Sequence, residues 1–323
     1  MTARPTTLFN IVPARDLTGD RFAYVVAGPP GTGKSTLLGS MAEVGKTLVL
    51  ATLAREAASW KYKEHNVDVI PLWESGWYSE DNKEGRLAPG VKTEGFINFM
   101  RAVNMLYEDE VYDCVVLDSG TELAELGWHH ALMPHGVIAP AYMDGKSRWL
   151  PYETLATNLD QAIKNLVNLT NAAAAKRPKY VGVSWHVQPP KDDQVETVGE
   201  GQNRTTQRKE SADNKGEGVE YEGKVLPMIR GGFRRKLTAQ LDTVVFTDIL
   251  YTTRPEGAKL VTVPRFVIQV QPDPERHAKL PGPLAPMKYI DNNFKALHAL
   301  VMGGKSEAAQ TAAPAAAGKT RLR

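Results

Sequence analysis

A single cysteine, Cys114, is all the thiol chemistry this 323-residue sequence offers. One thiol forms no internal disulfide, so no disulfide framework holds the fold, and a reducing cytoplasm is the expected setting. Long apolar runs are missing too, since none reaches the ~18–20 residues that cross a bilayer. The first residues carry an arginine but no apolar stretch behind it, so neither a secretory leader nor a membrane partner is expected. Charge of one sign is also scarce. Lys and Arg total 39 against 37 Asp and Glu, a net +2, which excludes a uniformly basic coat for nucleic acid and leaves only a local patch for such contacts. Internal repeats are absent. What is present, 42% hydrophobic and 24% charged residues, suits a globular chain and excludes disorder throughout.

Apolar, β-prone runs recur at 22–27, 47–53, 67–73, 111–117, 180–187 and 243–250. Runs of this kind fit strands buried on both faces, as in a parallel sheet. Helical spacing fills the gaps between several of them. Phe96, Met100, Val103 and Leu106 share one face, as do Leu155, Leu159, Ile163 and Leu166. The second of these helices is expected to end at Lys176-Arg177-Pro178, where proline cannot continue it and cations suit the C-terminal dipole. Strands alternating with helices predict βαβ units and a mainly parallel sheet. A hairpin is predicted from 243–253 to 259–270, turning at Arg254-Pro255-Glu256-Gly257.

Residues Gly28-Pro29-Pro30-Gly31-Thr32-Gly33-Lys34-Ser35-Thr36 fit the Walker A pattern G-x-x-x-x-G-K-[ST]. An apolar run precedes them, and Leu37, Leu38, Met41 and Ala42 follow as a helix, which is the context the chemistry needs. Glycines let backbone N–H groups curl round a phosphate, and the helix N-terminus adds partial positive charge. Lys34 is placed to reach the β- and γ-phosphate oxygens of ATP. Ser35 is placed to put a hydroxyl on Mg²⁺, which prefers hard oxygen ligands.

A second signal is Val115-Val116-Leu117-Asp118, an apolar run ending in a carboxylate. Asp118 there would hold the same Mg²⁺ directly or through water; the plain alternative is an Asp that caps the next helix. The general base is left open. Ser119 stands where many such ATPases carry Glu. Glu122 is a candidate, but Ser119-x-x-Glu122 also spells a helix capping box, and Glu56 and Glu74 follow other strands. His186, near the end of the run 180–187, either senses the γ-phosphate and attacking water or is a satisfied histidine at the sheet edge.

The order of these motifs resembles the RecA-like ATPase core: Gly28 to Thr36, then Asp118-Ser119, then a strand ending in His186 and a long polar loop. More narrowly it resembles the compact phage-encoded nucleotide-binding proteins of the Sak type. The Asp-Ser pair, Asp242-Thr243-Val244-Val245, Lys279-Leu280-Pro281 and Asn292-Asn293 are further points of likeness. The resemblance implies an α/β, RecA-like P-loop NTPase with a mainly parallel sheet flanked by helices and a C-terminal β-hairpin extension. It implies ATP and Mg²⁺ as cofactors and a homo-oligomer, ring or filament. It also implies single-stranded DNA as partner, in phage recombination, annealing or repair, alongside single-strand-binding or other recombination proteins. One departure bears on the base. RecA proteins carry Glu at the end of the strand after the P-loop helix, whereas here that run ends Ala51-Thr52-Leu53, with Glu56 three residues later.

Residues 1–20 read as an N-terminal extension, 21–302 as the core, 188–224 as a mobile polar loop within it, and 303–323 as a disordered Ala-, Gly- and Lys-rich tail. The resemblance puts the loop in the place of a DNA contact, yet the loop is net acidic. The basic cluster lies just beyond, in Arg230, Arg234, Arg235 and Lys236, with Phe233 among them. Such a cluster suits a single-strand backbone with one stacked base. It equally suits a finger reaching a neighbouring subunit's ATP, or a solvated surface. Rival readings are an assembly module that uses ATP as a structural clamp, and an AAA+-type remodeller. The β-rich 243–270 stretch argues against the helical lid the latter requires, and no lid or acceptor pocket for a small-molecule kinase is evident. His129, His130 and His135 lack the cysteine or spaced carboxylate of a zinc site. Trp73, Trp77, Trp128, Trp149 and Tyr152 read as core or interface.

Overall fold

The computed structural model of the chain describes residues 21–60, 66–73, 93–188, 195–198, 205–208, 226–228, 240–241, 243–256, 259–274, 276–281 and 285–302. Along the chain run β1 (Ala23–Gly28), α1 (Lys34–Gly39), β2 (Thr47–Ala51), α2 (Ala54–Trp60), β3 (Val67–Pro71), α3 (Gly95–Glu108), β4 (Cys114–Asp118) and α4 (Gly120–Leu132). After three short 3-10 turns come α5 (Leu150–Asn168), β5 (Tyr180–Gln188), β6 (Val195–Val198), β7 (Thr205–Arg208), β8 (Leu226–Pro227), β9 (Thr243–Glu256), β10 (Lys259–Gln269), β11 (Tyr289–Asp291) and α6 (Phe294–Val301). The fold is α/β. Among the described residues the main sheet runs β11-β10-β9-β1-β5-β4-β2-β3, with β8 pairing β5, while β6 and β7 pair apart from it. Strands β3, β2, β4, β5, β1 and β9 are parallel; β10 and β11 turn antiparallel.

Alternation along the central strands builds two cores. In β4, Val115 and Leu117 face Phe99 and Val103 of α3, Leu123 of α4 and Leu159 and Ile163 of α5. Cys114 and Val116 face the opposite layer, with Leu37 and Leu38 of α1 and Phe294 and Leu297 of α6. Both faces are therefore covered, which is why the strands read as unbroken apolar runs.

Three expectations need correction. Strand β3 is half-exposed rather than buried on both faces, because it ends the sheet and pairs only β2 among the described residues. The hairpin turns later than expected: Glu256 still pairs Lys259, so the turn lies at 257–258, outside the described residues. Helix α5 stops at Asn168, well before Lys176-Arg177-Pro178. Polar side chains end it: the Thr170 hydroxyl donates to the Val167 carbonyl at 2.9 Å, and Asn171 Oδ1 accepts the Ala173 N–H at 2.8 Å. Of the domain calls, 1–20, 303–323 and most of 188–224 lie outside the described residues.

Candidate functional site

Six parallel strands bring several chain turns to one C-terminal edge, the place where α/β sheets bind ligands. The turn after β1 is the glycine-rich loop. Gly33 caps α1 with φ +93°, and a Cβ there would lie 2.5 Å from Asn292 Nδ2 and 3.2 Å from the Phe266 ring. Gly28 is required by close approach, since a Cβ would meet the Thr247 hydroxyl of β9 at 2.3 Å. Thr32 donates to the Pro29 carbonyl at 2.8 Å, so its oxygen is free to accept from the Thr247 hydroxyl at 2.7 Å. Pro29, Pro30, Gly31 and Thr36 are exposed, and Ser35 is half-buried.

Lys34 is 7% exposed and turns back onto its own loop, donating to the carbonyls of Gly28 at 2.9 Å and Pro29 at 2.8 Å. Burial lowers its pKa to about 8, although Asp118 and Glu56 pull the other way.

Asp118 ends β4 and is 3% exposed. Its Oδ2 accepts from the Ser35 hydroxyl at 3.2 Å and from the Trp60 indole N–H at 3.1 Å, while Oδ1 accepts from the Ser184 hydroxyl of β5. Ser35 and Asp118 thus bring hard oxygens from two elements into direct contact, which is the donor chemistry Mg²⁺ takes. No His, Cys, Asp or Glu cluster among the described residues would hold a metal by itself.

The turn after β2 carries Glu56 to the same place. Helix α2 starts at Ala54, so Glu56 falls one turn in and its Oε2 accepts the Leu53 N–H and the Thr52 hydroxyl, each at 3.1 Å. Burial first, and Asp118 second, raise its pKa to about 7. Ser119 caps α4 by accepting the Glu122 N–H at 3.4 Å, but the capping box is not reciprocal: the Ser119 N–H goes to the Thr52 hydroxyl at 2.8 Å. Glu122 is left half-buried, its pKa raised by burial and by Glu125 and opposed by Arg55.

The His186 backbone N–H donates to the Thr121 hydroxyl at 2.9 Å, and its carbonyl accepts the Met228 N–H at 2.9 Å. Burial, then Lys34, lowers its imidazole pKa. Its Nδ1 is buried with no hydrogen-bond partner among the described residues.

Lys34, Ser35, Asp118, Glu56, Glu122 and His186 therefore share one edge and act on one another electrostatically. The cations Arg230, Arg234, Arg235 and Lys236, and the carboxylate Glu74, lie outside the described residues. Sequence reasoning missed Trp60, Ser184, Thr52 and Thr247. Ser184 had a signal, as a hydroxyl in a central apolar strand; the indole bond of Trp60, 58 residues from Asp118, had none. Elsewhere, His130 stacks on Phe96 at 5.6 Å and Trp128 meets Tyr152 at 4.8 Å, whereas Trp149 is 69% exposed. No helix among the described residues is long and apolar enough to cross a membrane. Compared with known proteins, the chain matches no family model and no curated sequence.

Proposed function

We propose that this chain is a Mg²⁺-dependent ATPase of the RecA-like P-loop class that acts on single-stranded DNA. The observation that carries the reading is convergence: Lys34 and Ser35 after β1, Glu56 after β2 and Asp118 at the end of β4 meet at one sheet edge. The sheet order, with β1 between β5 and β9, supports it.

In this reading the loop N–H groups and Lys34 hold the β- and γ-phosphates, and Lys34 exchanges its two carbonyl acceptors for phosphate oxygens. Ser35 and Asp118 would hold Mg²⁺, which would supply positive charge against that developing on the phosphates. Water attacks the γ-phosphorus and the bond to the β–γ bridging oxygen breaks, giving ADP and phosphate. Glu56 accepts the proton of that water, and a pKa near 7 suits a general base at neutral pH. Trp60 and Ser184 position Asp118, each from one side of the carboxylate. His186 lies within electrostatic reach of Lys34 and Asp118, where an imidazole could respond to the γ-phosphate.

Single-stranded DNA as partner rests on the resemblance in motif order. It gains support from Met228: its N–H is tied to the His186 carbonyl, so the chain just before the basic cluster is fastened to the sensor strand. ATPase rate measured with and without single-stranded DNA tests the whole reading. Activity that survives Lys34→Ala removes the hydrolytic claim. A rate and an affinity indifferent to DNA remove the partner while leaving the ATPase.

A further inference from the structure

A triphosphate-binding loop reads phosphates, and those are the same in every nucleoside triphosphate. Discrimination of a nucleotide from bare polyphosphate needs a surface for the base. An aromatic ring is the chemistry that takes it, because every base offers a π-face.

The structure places such a ring against the loop. Strand β9 runs parallel to β1 in the register Tyr24↔Thr243 to Ala27↔Phe246, so its continuation leaves the sheet at the edge where β1 becomes the glycine-rich loop. From there, among the described residues, β9 and β10 pair only with each other, from Leu250↔Arg265 out to Glu256↔Lys259. Phe266 sits at the root of this ribbon. Its ring lies where a Cβ on Gly33 would meet it at 3.2 Å, yet Phe266 is 44% exposed. One side of the ring thus touches the loop and the rest faces outward.

Register settles which residues share its face. Phe266 pairs Ile249 and Tyr251 pairs Pro264, so Phe266 and Tyr251 are diagonal neighbours on one face, a separation of ~7–8 Å that aromatic side chains can span. Tyr251 is 71% exposed. Tyr251 therefore borders the same surface one diagonal step further out along the ribbon, within reach of a base laid on Phe266. The described residues on this face are uncharged. The charges at the ribbon root lie on the other face and are engaged there, Arg265 with Asp291 at 2.5 Å and Asp248 with Arg276 at 2.7 Å.

We infer that Phe266, with Tyr251 as the second wall, forms the nucleobase platform for the nucleotide whose phosphates the glycine-rich loop holds. The inference rests on that loop holding a triphosphate. It commits to the base of the bound nucleotide rather than a base of DNA, because the ring abuts Gly33 and the face carries no cation for a phosphate backbone.

The test is equilibrium binding of ATP and of inorganic tripolyphosphate, each with Mg²⁺, to the full chain and to Phe266→Ala, Phe266→Trp and Lys34→Ala. Loss of one stacking contact predicts about tenfold weaker ATP binding in Phe266→Ala, with tripolyphosphate affinity unchanged. Phe266→Trp keeps a π-face and should bind ATP as wild type does. Lys34→Ala should lose both ligands. Equal weakening of ATP and tripolyphosphate in Phe266→Ala would mean that the ring merely props Gly33, and overturns the platform. So does unchanged ATP binding, or a loss confined to a single-stranded oligonucleotide. A wild-type chain that binds neither ATP nor tripolyphosphate removes the loop reading itself, and the platform with it.

Discussion

The two edges of the central sheet treat charge in opposite ways. At the N-terminal edge charges are matched. Lys46 meets Asp68 at 2.9 Å, and the Tyr112 hydroxyl donates to the same carboxylate, so Asp68 is held below its usual pKa by Lys46 and then Tyr112. Arg177 bonds Asp113, and Lys176 meets Glu108 at 2.7 Å. Lys179, whose side chain is fully buried, has its pKa lowered by burial, yet its ammonium reaches the Asp109 and Arg177 carbonyls at 2.9 Å and the Asp109 carboxylate at 3.5 Å. At the C-terminal edge Lys34, Glu56, Glu122 and His186 are each pushed toward the neutral form, with burial the leading cause. One edge spends its polar groups on closure; the other keeps groups that burial holds toward the neutral form.

The sharpest way to break this contrast is to remove charge from the C-terminal edge. Asp118→Asn should lower hydrolysis about 10³-fold, since several kcal/mol of charge stabilisation go with the metal. The fold should survive, because an amide can turn its oxygen to Trp60 and its N–H to Ser184, whose hydroxyl can accept. Thermal unfolding and ATPase rate on the same preparation check both halves. Near-normal hydrolysis would show that Asp118 holds no metal.

The opposite edge should respond in stability instead. Lys179→Ala leaves buried carbonyls and the Asp109 carboxylate without their cation, and breaking such a pair costs about 3–5 kcal/mol. Turnover per folded molecule should not change. A denaturant titration with kcat measured below the transition separates the two quantities. A Lys179→Ala chain as stable as wild type would show that this edge does not carry the fold.

Glu56→Gln tests both sides of the contrast at once. A base titrating at about 7 gives a rate that climbs as pH rises through 7, and the variant should lose that limb along with about 10²-fold in kcat. The stability sign is the reverse of an ordinary carboxylate. The folded chain binds the Glu56 proton more tightly than the unfolded one, so wild-type stability falls as pH rises from the model-compound value of 4.5 through about 7. Glu56→Gln does not pay that cost, and above pH 7 it should be more stable than wild type by about 1–2 kcal/mol, discounted for solvent. At low pH the two should match. A variant that loses the limb but gains no stability would show that Glu56 is a base without being desolvated.

What was legible in the sequence follows the same division. Glycine spacing and an apolar run ending in Asp announce Lys34, Ser35 and Asp118, because local backbone geometry dictates those residue types. Glu56 looked displaced, since strand-end counting assumes a straight continuation. Helix α2 begins within the turn and brings Glu56 back to the Leu53 N–H. Trp60 and Ser184 depend on which strands become neighbours, and β4 pairs with β5 across 66 residues in the Ser184–Asp118 bond. Lys179 is invisible for a related reason, because composition alone puts a lysine on the surface. The β3 run looked like an interior strand because apolar content does not say which strand ends the sheet.

The smallest expected effect concerns Lys34 alone. Burial lowers its pKa to about 8. A triphosphate beside the ammonium favours the charged form and raises that pKa. Below pH ~8 the ammonium is charged both free and bound, so nucleotide affinity should be flat in pH. Above it the free chain is neutral and binding must take up a proton, so affinity should fall by at most about tenfold per pH unit. Calorimetry between about pH 7 and 9.5, in two buffers of different ionisation enthalpy, counts the proton directly. Two variants assign it. Glu56→Gln should keep the fall above pH 8, because that carboxyl titrates lower. Lys34→Arg should bind more weakly but lose the fall, because a guanidinium stays charged past pH ~12. Affinity that stays flat through pH 9 in wild type would mean that Lys34 holds its proton as Lys176 does beside Glu108, and the contrast between the two edges would then hold for the carboxylates only.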